Sequence, residues 1–413
     1  MLSDRDYQGR VALGLGFFFL CTSLMPAGFF PLLRLAGFSI DRVKGKAHLT
    51  ECVEKDIDLG PRATLACLLL SMYHLDIEPD LPRAGDLLVS KLGLQPENVL
   101  LHWAGSMLAW RNTCIQQAGE LTRTALWCCG EQLGSKAIFL RYELGLFHFV
   151  SMSWWSAYNE LRYVWDAATS SGHQDDKNFF PYKAIVGTQL AAVAFSLGRD
   201  EEAAVLSVES AAAQERFGLL RMEGDFTKVL EIFLRHRARG RSLFAFEVMY
   251  FFRQFPKVPT DMLEAIQFRL EDIARPFGED VARERRRLDG TSGAGAAEAL
   301  QSPLAEESLV GYASARVVLC VVLFYLGDLD RAMEVVPELS QICSLLPAWS
   351  TYLAAHGWYW CGRVLDQCGR RGEALDCLKR GKALKKYPFG ITEKMGKMLA
   401  QVERAHARSE AAP

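Results

Sequence analysis

The side chains best suited to chemistry in this sequence lie in one aromatic segment, residues 152–165. It reads MSWWSAYNELRYVW and supplies Trp154, Trp155, Tyr158, Arg162 and Trp165. Large aromatic side chains and arginine contribute much of the binding energy at protein interfaces. The segment therefore predicts a surface that binds another protein. The alternative is that most of these rings pack between neighbouring helices, because aromatic residues also dominate cores.

Spacings typical of catalysis are absent from the sequence. It contains no Gly-x-Ser-x-Gly, no phosphate loop ending in Gly-Lys-Ser/Thr and no His-Glu-x-x-His. His148 lies between two phenylalanines and has no second ligand a helical turn away, and the cysteines do not show zinc-ligand spacing. We therefore expect no catalytic residue, no cofactor and no metal ion.

Composition restricts the class of partner and the compartment. Lys and Arg (47) nearly balance Asp and Glu (49), so no overall field attracts nucleic acid and we expect no nucleic-acid partner. Eleven cysteines lie mostly in apolar segments, which favours a reducing compartment over a disulfide framework.

The elements that must position these side chains are helices, because no strand-length alternation accompanied by hairpin turns occurs. Small residues and turn glycines recur at offsets typical of the tetratricopeptide repeat (TPR), in which antiparallel helix pairs stack. The repeat positions are Gly105; Gly145 and Ala157, with Met152 in place of the turn glycine; Gly198 and Ala203; Gly327 and Ala332; and Trp358, Gly362, Gly369 and Ala374. We predict an all-α, right-handed superhelix of TPR-like helix pairs, an α-solenoid, with a generic helical bundle as the alternative.

The uncharged segment Val11–Leu33 is long enough to cross a bilayer. Pro26 and Pro31 would break a lipid-exposed helix, however. The sequence therefore predicts a buried pair of short helices, the first ending near Leu24. A membrane-inserted or membrane-resting hairpin and a signal anchor are the alternatives.

The chain divides by composition into four parts. We predict a TPR-like helical array over residues 1–282, a flexible Gly/Ala/Ser-rich insertion over 283–308, further repeats over 309–405 and a disordered tail over 406–413.

Residues 13–49, LGLGFFFLCTSLMPAGFFPLLRLAGFSIDRVKGKAHL, resemble the most characteristic block of the tetratricopeptide repeat protein 39 family, which includes a fungal inclusion-body-clearance protein. The motif positions are Ser23, Leu24, Pro26, Gly37 and Phe38. The resemblance extends over most of Arg10 to Arg404. Family members usually carry further helices upstream of this block, and the insertion has no clear counterpart in them.

The resemblance implies a non-enzymatic adaptor, in the cytoplasm, the nucleus or at the outer mitochondrial membrane, with lipid-related or aggregate-clearance roles. We accordingly expect a scaffold whose concave groove binds a helix or an extended segment of another protein. The alternative is a peripheral membrane or lipid-handling protein, anchored by Val11–Leu33 at the outer mitochondrial membrane or a lipid droplet.

Overall fold

The computed structural model describes residues 4–35, 41–55, 60–130, 137–170, 182–217, 237–289, 303–346, 350–384 and 391–410. Within these ranges the regular structure is helical and contains no strand, which confirms the predicted all-α fold. The chain forms two compact units, Met1–Phe147 and His148–Pro413.

The helices of the first unit are α1 Asp4–Leu24, α2 Phe30–Leu35, α3 Arg42–Lys55, α4 Pro61–Asp76, α5 Leu81–Leu94, α6 Val99–Arg111 and α7 Ile115–Cys129. Helix α8, Ile138–Val150, contains the boundary between the units. Those of the second unit are α9 Trp154–Thr169, α10 Lys183–Ser196, α11 Asp200–Phe217, α12 Arg237–Phe251, α13 Thr260–Asp289, α14 Pro303–Leu326, α15 Leu329–Leu345, α16 Thr351–Gln367, α17 Arg371–Ala383 and α18 Ile391–Glu410.

Helix pairs are joined by a recurring turn with one residue in the left-handed conformation. The residues in this position are Thr113, Met152, Gly198, Arg253, Gly327 and Gly369, with φ between 56° and 81°. The next residue donates its backbone N–H to the carbonyl five residues earlier, as Arg199 does to Ala194 (2.9 Å). This bond satisfies a carbonyl that the helix end leaves open. The turn that sequence analysis marked at Met152 is therefore equivalent to the glycine turns.

A fully buried alanine follows five residues after most of these turns, where the second helix begins to pack. These alanines are Ala118, Ala157, Ala203, Ala332 and Ala374, each 0% exposed. Arg253 is the exception, since a 3₁₀ turn over Phe255–Lys257 precedes α13. Gly362 lies at a close crossing, where an added Cβ would be 2.8 Å from Leu378 Cγ. Gly105 is less tightly packed, with Leu121 Cδ1 3.4 Å from such a Cβ.

The second unit has two layers of helices. In one layer α10 packs on α12, α12 on α14, α14 on α16 and α16 on α18. We call α12, α14, α16 and α18 the first-helix layer. The second helices of the pairs, α13, α15 and α17, each pack against the two flanking first helices. Stacked pairs of this kind form an α-solenoid.

The opening segment is split at Ser23–Pro26 as predicted, but α1 pairs with α3 rather than with α2. Gly16 and Gly45 bring α1 and α3 together. A Cβ on Gly45 would lie 2.9 Å from the backbone nitrogen of Leu20, and one on Gly16 would lie 2.7 Å from Leu49 Cγ. Their lack of side chains allows this close approach.

Helices extend into the predicted insertion and tail. Helix α13 continues to Asp289, α14 begins at Pro303 and α18 continues to Glu410. The arginine- and glutamate-rich ends favour helix, and proline is well tolerated in a first helical turn. Residues 290–302 of the predicted insertion lie outside the described residues.

Part of α14, Glu306–Leu326, is the one helix among the described residues that is long and apolar enough to cross a membrane, with a mean hydropathy of 2.0. Of the residues in its most apolar 18-residue window, 72% are buried inside the protein. Because α12, α13, α15 and α16 surround it, α14 has the environment of a core helix.

Candidate functional site

The first-helix layer of the second unit lines a partly open cavity of about 120 Å³. All four helices contribute to its lining, with Tyr250 from α12, Tyr325 from α14, Trp360 from α16 and Ile391 from α18. Its volume equals that of a few water molecules and is well below the range of about 300–1,000 Å³ typical of pockets for drug-sized ligands. The cavity can admit a small chemical group or the end of a side chain.

A hydrogen-bonded aromatic cluster forms one wall of the cavity. Trp360 Nε1 donates to the hydroxyl oxygen of Tyr250 over 2.7 Å, and that hydroxyl is also hydrogen-bonded to His356 Nδ1. Burial, together with the nearby charge of Lys394, lowers the pKa of His356 to about 3. The imidazole is therefore neutral near pH 7, and these bonds fix the rings that line the cavity.

Three cationic side chains also line the cavity: Arg253, Arg363 and Lys394. The Arg363 guanidinium lies over the Phe324 ring at 4.4 Å and over the Trp360 ring at 4.8 Å, distances typical of cation–π contacts. Burial lowers the pKa of Lys394, and the charges of the two arginines lower it further. These three cations make no ion pair with any carboxylate in the described part of the chain.

The sequence does not reveal this cavity, because its lining comes from four helices separated in the chain.

The candidate binding residues of α9 are divided by burial. Trp155 is 63% exposed, whereas Tyr158 (8%) and Trp165 (4%) are buried. Trp154 and Arg162 are half-buried. Tyr158 and Trp165 therefore pack within the second unit, whereas Trp155 does not.

Arg162 and Tyr158 are engaged in a polar network between α9 and α11. The Tyr158 hydroxyl donates to Glu202 over 2.6 Å, and Arg162 pairs with Glu202 and Asp166, both at 2.9 Å. The Arg199 guanidinium lies 4.4 Å from the Tyr158 ring centroid. Arg162 thus has two carboxylate partners inside the protein, and Trp155 is the member of the set that presents a mostly exposed ring.

An apolar surface is exposed on α1, α2 and the turn between them. Ala12 and Leu20 are buried against α3, but the other side of α1 faces solvent. The exposed members are Val11, Leu15, Phe17, Leu24, Met25, Phe29, Leu32 and Leu35, with exposures from 39% to 87%. The expected buried helix pair is thus buried on one side only, because α3 covers one face of α1. We call these eight residues the N-terminal apolar surface.

The described part of the family motif connects α1 to α3. The Ser23 hydroxyl donates to the Leu20 carbonyl over 2.7 Å, and Arg42 Nη2 donates to the Ser23 carbonyl over 3.3 Å. Leu24 and Pro26 are exposed where α1 ends, and the Pro26 carbonyl accepts from the Phe29 N–H at 2.9 Å. Gly37 and Phe38 lie outside the described residues.

A larger cavity of about 630 Å³ lies between α13, α14 and α15. Its charged groups are partly paired with one another, since Glu338 accepts hydrogen bonds from both Tyr312 and Arg316. Such internally satisfied groups offer less to a ligand than the cations of the smaller cavity, which have no carboxylate partner among the described residues.

The described residues contain no group of three or more His, Cys, Asp or Glu placed to hold a metal ion. The buried carboxyl groups of Glu143 and Glu247 have pKa values raised to about 7 and about 8, chiefly by burial. Neither residue lines the cavities described above.

Stacked helix pairs with repeated left-handed turns and buried alanines define a TPR-like helical-repeat protein. The family profile described as Iml2/Tetratricopeptide repeat protein 39 matches residues 2–281, more than half of the chain. The chain therefore belongs to the Iml2/Tetratricopeptide repeat protein 39 family, as its N-terminal block indicated.

Proposed function

We propose that this protein is a non-enzymatic scaffold that binds a helix or an extended segment of another protein on the first-helix layer of the second unit. The observation that carries the proposal is the cavity to which four successive first helices contribute aromatic and cationic side chains. Aromatic side chains and arginine held on rigid helices are effective anchors for a partner.

This assignment differs from the sequence-based one in its location. The α9 segment belongs to the second helix of its pair, whereas the cavity lies in the layer where first helices pack on one another. A partner that crosses several first helices would contact several repeats at once, which is how solenoid proteins use extended surfaces.

Family membership supports a role in lipid-related regulation or in clearance of protein aggregates. We propose a cytoplasmic protein with nuclear or outer-mitochondrial pools, which cell fractionation followed by immunoblotting tests. The proposed mechanism is presentation of a binding surface, without turnover.

The binding proposal is tested by proximity labelling in cells with Tyr325→Ala, which removes a half-buried ring of the cavity. The matched control is Tyr163→Ala, which removes an exposed ring from α9. We expect Tyr325→Ala to label specific partners at least about tenfold less than the unmodified protein does, because truncation of an anchor residue has an effect of this size. In binding assays with purified proteins, these partners must rank the unmodified protein and the two variants in the same order. Equal labelling by the two variants contradicts the proposal.

A second candidate function is peripheral membrane association through the N-terminal apolar surface. Extended exposed apolar surfaces are characteristic of protein-binding or membrane-binding sites. Sedimentation with phosphatidylcholine vesicles tests it, using Phe29→Ser/Leu32→Ser against Val205→Ser/Val208→Ser, where the control valines are similarly exposed on α11. Loss of sedimentation in the first pair alone supports this function, and no sedimentation of the unmodified protein excludes it.

A further inference from the structure

We infer that the cavity between α12, α14, α16 and α18 binds a dianionic phosphate group, held by Arg253, Arg363 and Lys394. This deepens the proposed function, on which it rests only for the source of the phosphate: it names the group that a partner presents at the first-helix layer.

The charge of the cavity is the first argument. Arg253 follows α12, Arg363 lies on α16 and Lys394 lies on α18, so tertiary packing brings three like charges to one space. The lowered pKa of Lys394 reflects the repulsion from both arginines as well as its burial. An anion in the cavity would relieve that repulsion.

The acidic groups of the described residues do not already supply this anion. Glu393 is adjacent to Lys394 in the chain, but its carboxylate pairs with Lys397 at 2.6 Å. The charge of Arg253 lowers the pKa of Glu393 without an ion pair between the two groups. Among the described residues that line the cavity there is no Asp or Glu.

Size and shape are the second argument. About 120 Å³ accommodates a phosphate group, at roughly 30 Å³ for each water molecule displaced. A dianion compensates three cations better than a single carboxylate does. Arginine forks match phosphate oxygens in pairs, and the contacts of Arg363 with Phe324 and Trp360 hold its guanidinium plane in place.

The backbone at Arg253 is the third argument. Its φ of 56° is unfavourable for a residue with a Cβ, and the equivalent position is glycine at Gly198, Gly327 and Gly369 but Thr113 and Met152 in the two earlier turns. Unfavourable backbone conformations are concentrated at functional sites. Of the three turn residues with a Cβ, Arg253 is the one whose side chain lines the cavity.

Isothermal titration of the full chain with inorganic phosphate near pH 8 tests the inference directly. We expect saturable binding that Arg363→Gln and Lys394→Gln each weaken by about 10- to 100-fold, the effect of losing one charge-assisted hydrogen bond. The matched control is Lys379→Gln, which removes an exposed lysine of α17 outside the cavity and retains affinity within about twofold.

Arg253→Gly separates loss of binding from damage to folding. This variant should weaken phosphate binding as strongly as the other two, yet raise the unfolding temperature, because glycine adopts the left-handed conformation freely. Loss of phosphate affinity together with greater thermal stability supports the inference in a way that misfolding cannot reproduce.

Several results would overturn the inference. These are no heat of binding with phosphate, acetate binding as tightly as phosphate, or an equal loss of affinity in Lys379→Gln.

O-Phosphoserine is the probe for the source of the phosphate group. If O-phosphoserine binds at least as tightly as inorganic phosphate, the phosphate can be carried by a protein partner. If O-phosphoserine does not bind, a protein partner is not the source of the phosphate. Partner labelling with Tyr325→Ala is a separate readout, so scaffold function can survive failure of the phosphate site.

Discussion

Trp360 donates a hydrogen bond of 2.7 Å from its indole nitrogen to the hydroxyl oxygen of Tyr250, which lies 110 residues earlier in the chain. The bond joins two first helices, α12 and α16, that are not consecutive in the layer. His356 shares the same hydroxyl. One tyrosine oxygen thus satisfies polar groups of two buried side chains.

Tyr250→Phe removes that oxygen and keeps the ring. Because two buried nitrogen-bearing rings lose a partner, we expect the free energy of unfolding to fall by about 1–3 kcal/mol. Tyr325→Phe is the control at the same cavity and should change it by less than about 0.5 kcal/mol. Urea unfolding followed by circular dichroism measures both, and equal effects would mean that the Tyr250 hydroxyl contributes no net stability.

Glu247 should make stability depend on pH. Its carboxyl group is 1% exposed and accepts from the Ser314 hydroxyl, and burial raises its pKa to about 8, against about 4.3 when unfolded. Between these values the folded protein holds a proton that the unfolded chain has released, so stability falls as pH rises through this interval. The loss is at most about 5 kcal/mol, at about 1.4 kcal/mol per pKa unit.

Glu247→Gln removes this titration while keeping the shape of the side chain. We expect the urea midpoint of the variant to rise relative to that of the unmodified protein as the pH is raised from 5 to 8. Parallel pH profiles for the two proteins would show that Glu247 is ionised in the folded state.

At the left-handed turn positions, replacing glycine should lower stability, whereas introducing glycine should not. Gly327→Ala places a Cβ at φ 76° and should cost about 1–2 kcal/mol, whereas Met152→Gly removes one at φ 57° and should cost nothing or gain up to about 1 kcal/mol. Gly396→Ala, within α18 and with open space around the new Cβ, should gain about 0.5–1 kcal/mol. Thermal unfolding of the three variants decides this, and a loss of stability in Met152→Gly speaks against equivalence of the turns.

The crossing of α1 and α3 should not tolerate a methyl group. Gly45→Ala directs a Cβ to 2.9 Å from the Leu20 backbone nitrogen, and we expect a loss of about 1–3 kcal/mol despite the better helix propensity of alanine. Gly14→Ala, on the same α1 helix, meets nothing within 4 Å and should be stabilising by about 0.5–1 kcal/mol. Hydrogen exchange of α1 and α3 amides measures both, and similar protection in the two variants would argue against close packing.

Trp155 provides the test between the two candidate surfaces. It lies on a second helix, so we expect Trp155→Ala to retain the partners that Tyr325→Ala loses. Trp127→Ala on α7, another strongly exposed tryptophan, controls for removing a surface ring. If Trp155→Ala alone loses partners, the aromatic segment of α9 is the binding site and the proposal for the first-helix layer falls.

The sequence by itself determined the helical class, the family and the recurring turns. Gly198–Ala203, Gly327–Ala332 and Gly369–Ala374 were recognisable because each turn depends on neighbours within five residues, and local backbone requirements are written in local residue types. The break at Pro26 was recognisable for the same reason.

Tertiary structure alone decided which side chains remain exposed and which cations meet. Arg253, Arg363 and Lys394 are up to 141 residues apart in the chain, and only the stacking of α12, α16 and α18 gathers them without a carboxylate partner among the described residues. Packing of α3 covers one side of α1, and packing of α9 within the second unit buries Tyr158 and Trp165 but not Trp155. Periodicity specifies that a helix has an apolar face, whereas the neighbours that cover that face are fixed by contacts distant in sequence.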